Sequence, residues 1–121
     1  MKTKDVGKLA EDAVSHYLVN HQFVILSRNY LCYHVGELDI VAQRDDELFI
    51  FEVKARSKNS FLDDISESIN SIKRIRIERT TRAYIHEFQL YERNIRYFAA
   101  WVTLCGPGII QKIEFCPFSC K

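Results

Sequence analysis

The stretch GELDIVAQRDDELFIFEVKAR, residues 36–56, decides the fold. Segments rich in apolar and β-branched residues flank a short polar break at Asp45-Asp46, the pattern of two strands joined by a two-residue turn. Glu37 to Arg44 and Glu47 to Ala55 are the strands it predicts. A turn centred on the two aspartates sets Arg44 opposite Glu47; further out it sets Asp39 opposite Glu52 and Glu37 opposite Lys54. Because side chains alternate along a strand, Glu37, Asp39, Glu52 and Lys54 then share one face. The other face, Leu38, Ile40 and Ala42 with Phe49, Phe51 and Val53, is wholly apolar and must be core.

The charged face also carries Val41, Leu48 and Ile50 near the turn, so part of it must be covered. The first helix is the candidate cover. Val6, Leu9, Ala10, Ala13, Val14, Tyr17 and Leu18 have the spacing of an amphipathic helix from about Lys4 to Asn20. Glu11 lies at the margin of that apolar stripe, where it could reach the same patch.

Opposed strand residues have Cβ atoms about 4.5–5.5 Å apart, so ionised Asp39 and Glu52 repel unless a counter-charge sits between them. A divalent cation resolves the conflict. Hard oxygen ligands with room for water suit Mg²⁺ or Mn²⁺, which can hold a phosphate oxygen and lower the pKa of an attacking water. Lys54 is placed to orient that water or to stabilise charge developing on phosphorus, and the adjacent carboxylates are expected to raise its pKa. The competing reading is a solvated sheet face whose charges merely pair. A bulged turn would also separate Asp39 from Glu52.

Outward from the hairpin, FVILSRNYLCY (residues 23–33) reads as a strand with a bend near Ser27 to Asn29. Ser57 to Leu62 reads as a loop. Asp63 to Glu87 contains helical material in which Ile65, Ile69, Ile72 and Ile75 recur at roughly helical spacing. RYFAAWVTL (96–104) is a strand, Gly106-Pro107-Gly108 a turn, and Ile109 to Phe115 a last strand. The order is αβββαββ, in one domain spanning residues 1–121.

Composition is consistent with that: 121 residues, 47% hydrophobic and 27% charged, with a formal net charge of +1. So balanced a chain can attract nucleic acid only through local clustering. Cys32, Cys105, Cys116 and Cys120 form no CxxC pair, which points to a reduced, cytoplasmic setting. Cys116 and Cys120 with Cys105 make only a loose zinc pattern. There is no apolar run of the length a signal peptide or membrane span needs. The four histidines are scattered, and Trp101 and the six tyrosines lie within strand or helix patterns, so they read as packing residues.

Asp39 followed by F-I-F-E52-V-K54 resembles the D…ExK core of the PD-(D/E)XK nuclease superfamily. Gly7 and Glu11 in GKLAEDA, Arg28-Asn29, GELDI around Asp39, FEVKAR around Glu52, and Lys73-Arg74 together resemble the YraN family, whose fold is similar to archaeal Holliday junction resolvases. The resemblance implies an α/β, restriction-endonuclease-like mixed central sheet flanked by helices. It implies Asp39 and Glu52 as metal ligands with the Val53 carbonyl as a third, Lys54 as the catalytic lysine and Glu11 as a helix-borne acid.

Lys73, Arg76, Arg79 and Arg82 recur every third residue, a slanting basic stripe that could neutralise backbone phosphates. Lys73, Arg76 and Arg79 are the candidate nucleic-acid contacts, with Arg76 and Arg79 favoured. The expectation is therefore a nuclease dependent on Mg²⁺ or Mn²⁺ that hydrolyses phosphodiester bonds in nucleic acid, with DNA the expected polymer. The alternative is a module that binds nucleic acid without turnover. A homodimer would let so small a domain make paired cuts.

Overall fold

Asp45 and Asp46 adopt φ of 51° and 65°, the two left-handed conformations of a type I′ turn, whose twist matches the strands it joins. The turn closes β2 (Gly36–Arg44) on β3 (Glu47–Ser57), with Arg44 opposite Glu47 and Ile40 opposite Phe51. A computed structural model describes residues 3–58 and 69–120. Its elements run α1 (Thr3–Asn20), β1 (Val24–Cys32), β2, β3, α2 (Ser71–Phe88), β4 (Ile95–Gly106) and β5 (Ile109–Phe118). The strands form one mixed sheet in the order β1-β2-β3-β4-β5. Among the described residues, only β3 and β4 run parallel. Parallel neighbours need a long crossover, and here it carries α2 over one face of the sheet.

The sheet is buried on both sides. Ala10, Val14 and Leu18 of α1 pack on Ile40, Ala42, Phe49, Phe51, Ala100 and Val102. Ile77 and Tyr84 of α2, with Ile69, cover Leu38, Val41, Leu48, Ile50 and Ala99 on the other side. Burial on both faces explains why Leu48 to Phe51 is a continuous apolar run. It also corrects one expectation: α2, not α1, covers Val41, Leu48 and Ile50, because α1 occupies the opposite face.

A second correction concerns α2. Its buried stripe is Ile77, Thr80, Thr81 and Tyr84, whereas Ile72 and Ile75 are 68% and 50% exposed. Ile69 precedes the helix, which starts after Asn70, whose Oδ1 accepts the Lys73 N–H at 2.9 Å. Thr80 and Thr81 can be buried because their hydroxyls donate to the Arg76 and Ile77 carbonyls, both at 2.7 Å. Hydropathy spacing therefore picks the wrong face. The loop expected from Ser57 begins later, because Ser57 still belongs to β3 and Lys58 follows in a turn. Ile65, the rest of that loop as far as Leu62, and the expected start of helical material at Asp63 fall in 59–68, outside the described residues.

β1 bends where expected, and the bend has consequences. Its pairing with β2 shifts between Ile25 and Ser27, and Asn29 has a φ of 53°. Arg28 reaches Asp12 on α1 at 2.8 Å. Two residues later Tyr30 turns the other way, its ring 4.8 Å from that of Tyr84 on α2. Residues two apart normally share a face, so alternation reverses across Asn29. The same reversal occurs on β2, where Ile40 packs toward α1 and Leu38 toward α2. Asp39 lies between them.

All four cysteines are free thiols. No helix among the described residues is long and apolar enough to cross a membrane.

Candidate active site

The β2–β3 ladder ends at Ile40 and Phe51. At the next position Asp39 Oδ2 accepts the Val53 N–H at 2.8 Å. Beyond it the strands part: β2 stays with β1, Leu38 opposite Tyr30 and Glu37 opposite Leu31, while β3 stays with β4 from Glu52 to Ser57. Glu37 is thus exposed against β1 and does not share the expected four-charge face. Asp39, Glu52 and Lys54 remain together at the fork.

Asp39 carries the clearest electrostatic signature. Its carboxyl is pushed up to about 7, first by burial and then by the negative charge of Glu52; the Val53 N–H opposes this, and Glu11 adds to it. Glu52 and, from α1, Glu11 are therefore close enough to destabilise the charge of Asp39. Glu11 reaches this point although α1 lies on the far face, because Asp39 sits where β2 changes faces. Arg28 Nη2 is 3.5 Å from Glu11 Oε1 and 2.8 Å from Asp12 Oδ1. That role for Arg28 was not evident from sequence; the signal was its place beside Asn29.

Glu52 is buried at 6% exposure, and its Oε1 lies 2.7 Å from Lys73 Nζ. Lys73 thus reaches from the first turn of α2 into the carboxylate cluster. Burial works to lower its pKa, but the contacts with Glu52 and Lys54 outweigh this and hold it above the usual lysine value. Lys54 shifts the other way. Burial and then the neighbouring Lys73 ammonium push it down, against the pull of Glu52 and Asp39. The carboxylates alone suggest an upward shift; burial first, and then a second lysine from α2, reverse it.

Arg76 and Arg79 are exposed and line a cleft with His34, Val35, Ile72 and Ile75. Arg82, the last member of the stripe, is paired with Glu78 at 2.6 Å. Arg74 is structural, its Nε donating to the Ile69 carbonyl at 2.9 Å. Among the described residues, no three His, Cys, Asp or Glu side chains are grouped so as to hold a metal by themselves. A cation at the fork would therefore take the two carboxylates of Asp39 and Glu52, a backbone carbonyl and waters. That donor set fits Mg²⁺, which keeps several waters and commonly binds through one or two carboxylates.

Residues 10–102 match the sequence profile of a family described as "Uncharacterised protein family UPF0102". The chain belongs to this family. A UPF0102 protein of Dictyoglomus turgidum is 33% identical over 117 residues, covering 97% of this chain and 98% of its own length. UPF0102 proteins of Clostridium kluyveri and Moorella thermoacetica are 34% and 35% identical, covering 78% and 79% of this chain and 75% and 80% of their own. This is the YraN family that the hairpin and helix motifs resemble. The UPF0102 match includes Glu11, Asp39, Glu52, Lys54, Lys73, Arg76 and Arg79; it ends within β4 and leaves β5 outside.

Proposed function

We propose that this protein is a metal-dependent nuclease-like hydrolase of phosphodiester bonds in nucleic acid, with DNA as the expected substrate. The convergence of Asp39, Glu52 and Lys54 where β2 and β3 part carries this reading. Asp39 and Glu52, with the Val53 carbonyl, would hold Mg²⁺ or Mn²⁺. When bound, such an ion polarises a phosphate oxygen and makes hydroxide available near neutral pH.

The chain's own groups supply the rest. Lys54, half-buried beside the carboxylates, offers an ammonium to the negative charge that grows on the phosphate oxygens. Its lowered pKa also lets it give or take a proton more readily than a free lysine. The Asp39–Val53 hydrogen bond fixes the carboxylate against the backbone of the next two site residues. Arg76 and Arg79 position phosphates without reading sequence.

The test is cleavage of labelled single-stranded, duplex and branched DNA with Mg²⁺ or Mn²⁺. Activity that is lost in Asp39→Ala, Glu52→Ala and Lys54→Ala proteins with native circular dichroism supports the proposal. Wild-type protein inert on every substrate with both ions defeats it. A second reading, binding without turnover, is favoured by one contact: Lys73 Nζ on Glu52 already supplies the carboxylate with a positive partner.

A further inference from the structure

The cleft between the β1–β2 turn and α2 has an unusual lining for a phosphate-binding surface. Arg76 and Arg79 give it positive character beside the His34 ring, no carboxylate lines it among the described residues, and Ile72 and Ile75 form part of its wall. Those isoleucines stand in water, 68% and 50% exposed, and Tyr33 beside His34 is 77% exposed. Tyr33 lies in the turn after β1 and not in the strand, which frees it from the packing role that strand residues have. Its ring meets that of His34 at 4.1 Å.

The cleft also adjoins the fork. Arg76 lies across Gly36, its Cγ only 2.9 Å from where a Cβ would be, and Gly36 is three residues before Asp39. Lys73, one turn earlier on α2, touches Glu52. From Lys73 to Arg79 the helix rises about 9 Å, which carries basic side chains from the fork to the far end of the cleft.

Two kinds of occupant fit an apolar and basic cleft. A second copy of the chain meeting it across a two-fold axis would bring the same surface against itself, arginine against arginine. A polyanion avoids this. In an uninterrupted duplex the base faces are hidden in the stack, leaving isoleucines and a tyrosine nothing apolar to cover. A strand with unpaired bases presents both phosphates and π-faces.

We infer that this cleft holds a nucleic-acid strand with unpaired bases, Arg76 and Arg79 taking its phosphates while Tyr33 stacks on a base and Ile72 and Ile75 cover the sugars. The inference rests on the nuclease-like reading for the class of polymer, but not on turnover.

Fluorescence anisotropy in EDTA tests it, with an oligothymidylate of about 20 nucleotides and a blunt duplex of equal length as probes. The single strand is expected to bind about tenfold more tightly than the duplex. Tyr33→Ala should weaken single-strand binding about tenfold and leave the duplex unchanged, with Tyr33→Phe restoring it. Arg76→Ala and Arg79→Ala should weaken both probes and each reduce the salt slope by about one. Equal affinity for both probes, no binding to either, or a Tyr33→Ala protein indistinguishable from wild type overturns the inference. So does a wild-type dimer broken by Ile72→Glu when that variant binds the oligothymidylate unchanged. The two proposals fail separately: selective binding with no cleavage on adding Mg²⁺ defeats the nuclease reading alone. Cleavage with no single-strand preference defeats this one alone.

Discussion

Asp39 Oδ2 accepts the backbone N–H of Val53 at 2.8 Å, so a side chain takes the partner that a ladder carbonyl would otherwise provide. The bond lets β2 and β3 separate without orphaning a buried donor. It also holds a carboxylate beside Glu52, where its charge is unfavourable.

A pH prediction follows from that charge. A carboxyl raised from 3.8 to about 7 in the folded protein contributes stability below its ordinary pKa and loses it as pH rises through about 7. In EDTA, wild-type stability should therefore fall between about pH 4 and pH 8. Asp39→Asn keeps an oxygen for the Val53 N–H and removes the charge. It should be more stable at pH 8 by on the order of 2 kcal/mol, with a flatter pH profile. Urea titrations across that range check this; an asparagine variant less stable than wild type at pH 8 would count against the assigned strain.

Cation binding should relieve the same repulsion. Mg²⁺ at about 100 times its dissociation constant stabilises a one-site protein by about 2.7 kcal/mol, a shift of several degrees in Tm. The wild type should show the shift and Asp39→Asn and Glu52→Gln should lose it, whether or not any substrate is cleaved. Equal shifts in all three proteins would place the cation elsewhere.

Lys73 and Glu52 form an ion pair 2.7 Å long in which the lysine side chain is 36% exposed and the glutamate side chain 8%. Solvent screening at the lysine keeps the pair below the value of a fully buried one. Lys73→Met should still destabilise by about 1–2 kcal/mol, because the glutamate it leaves is buried. Adding Glu52→Gln should recover most of that loss. A double-mutant cycle with no coupling would show that the pair contributes nothing to stability.

Much of this geometry was legible in residues 36–56, because a two-residue turn leaves one register and that register brings Asp39 toward Glu52. What could not be read there was the fork. Counting outward from Asp45-Asp46 carries the ladder past Asp39 indefinitely, and only the left-handed Asn29 on the neighbouring strand shows where alternation reverses. That count therefore puts Leu38 and Glu37 on the wrong faces. The cover over Val41, Leu48 and Ile50 escapes the sequence for a different reason. The buried face of α2 uses Thr80 and Thr81, whose hydroxyls are satisfied within the helix, while its isoleucines at 72 and 75 face solvent. A hydropathy count cannot see a hydroxyl that has found its own carbonyl.

Asn29 should therefore be sensitive to substitution out of proportion to its exposure. At φ 53° most L-residues are strained, asparagine less so and glycine hardly at all. Asn29→Ala should lose about 1 kcal/mol and Asn29→Gly very little. Because the residue sets which way Arg28 and Tyr30 point, Asn29→Val should also weaken cation binding to the fork. Calorimetry with Mn²⁺ reads this separately from stability, and an Asn29→Val protein with unchanged Mn²⁺ affinity would detach the bend from the site.

Gly36 tests the close approach of β2 to α2. A Cβ there would stand 2.5 Å from Thr80 Oγ1 and 2.9 Å from Arg76 Cγ. The arginine stem can move, but Thr80 is fully buried and its hydroxyl is held by the Arg76 carbonyl. Gly36→Ala should thus destabilise by about 1–3 kcal/mol, the usual range for overpacking. Thr80→Ala removes the atom that is struck, so the double variant should be more stable than the two single losses added together. Strict additivity in chemical denaturation would mean that the helix shifts as a body instead. In that case Arg76 would move with it, and Gly36→Ala alone would lower affinity for the oligothymidylate.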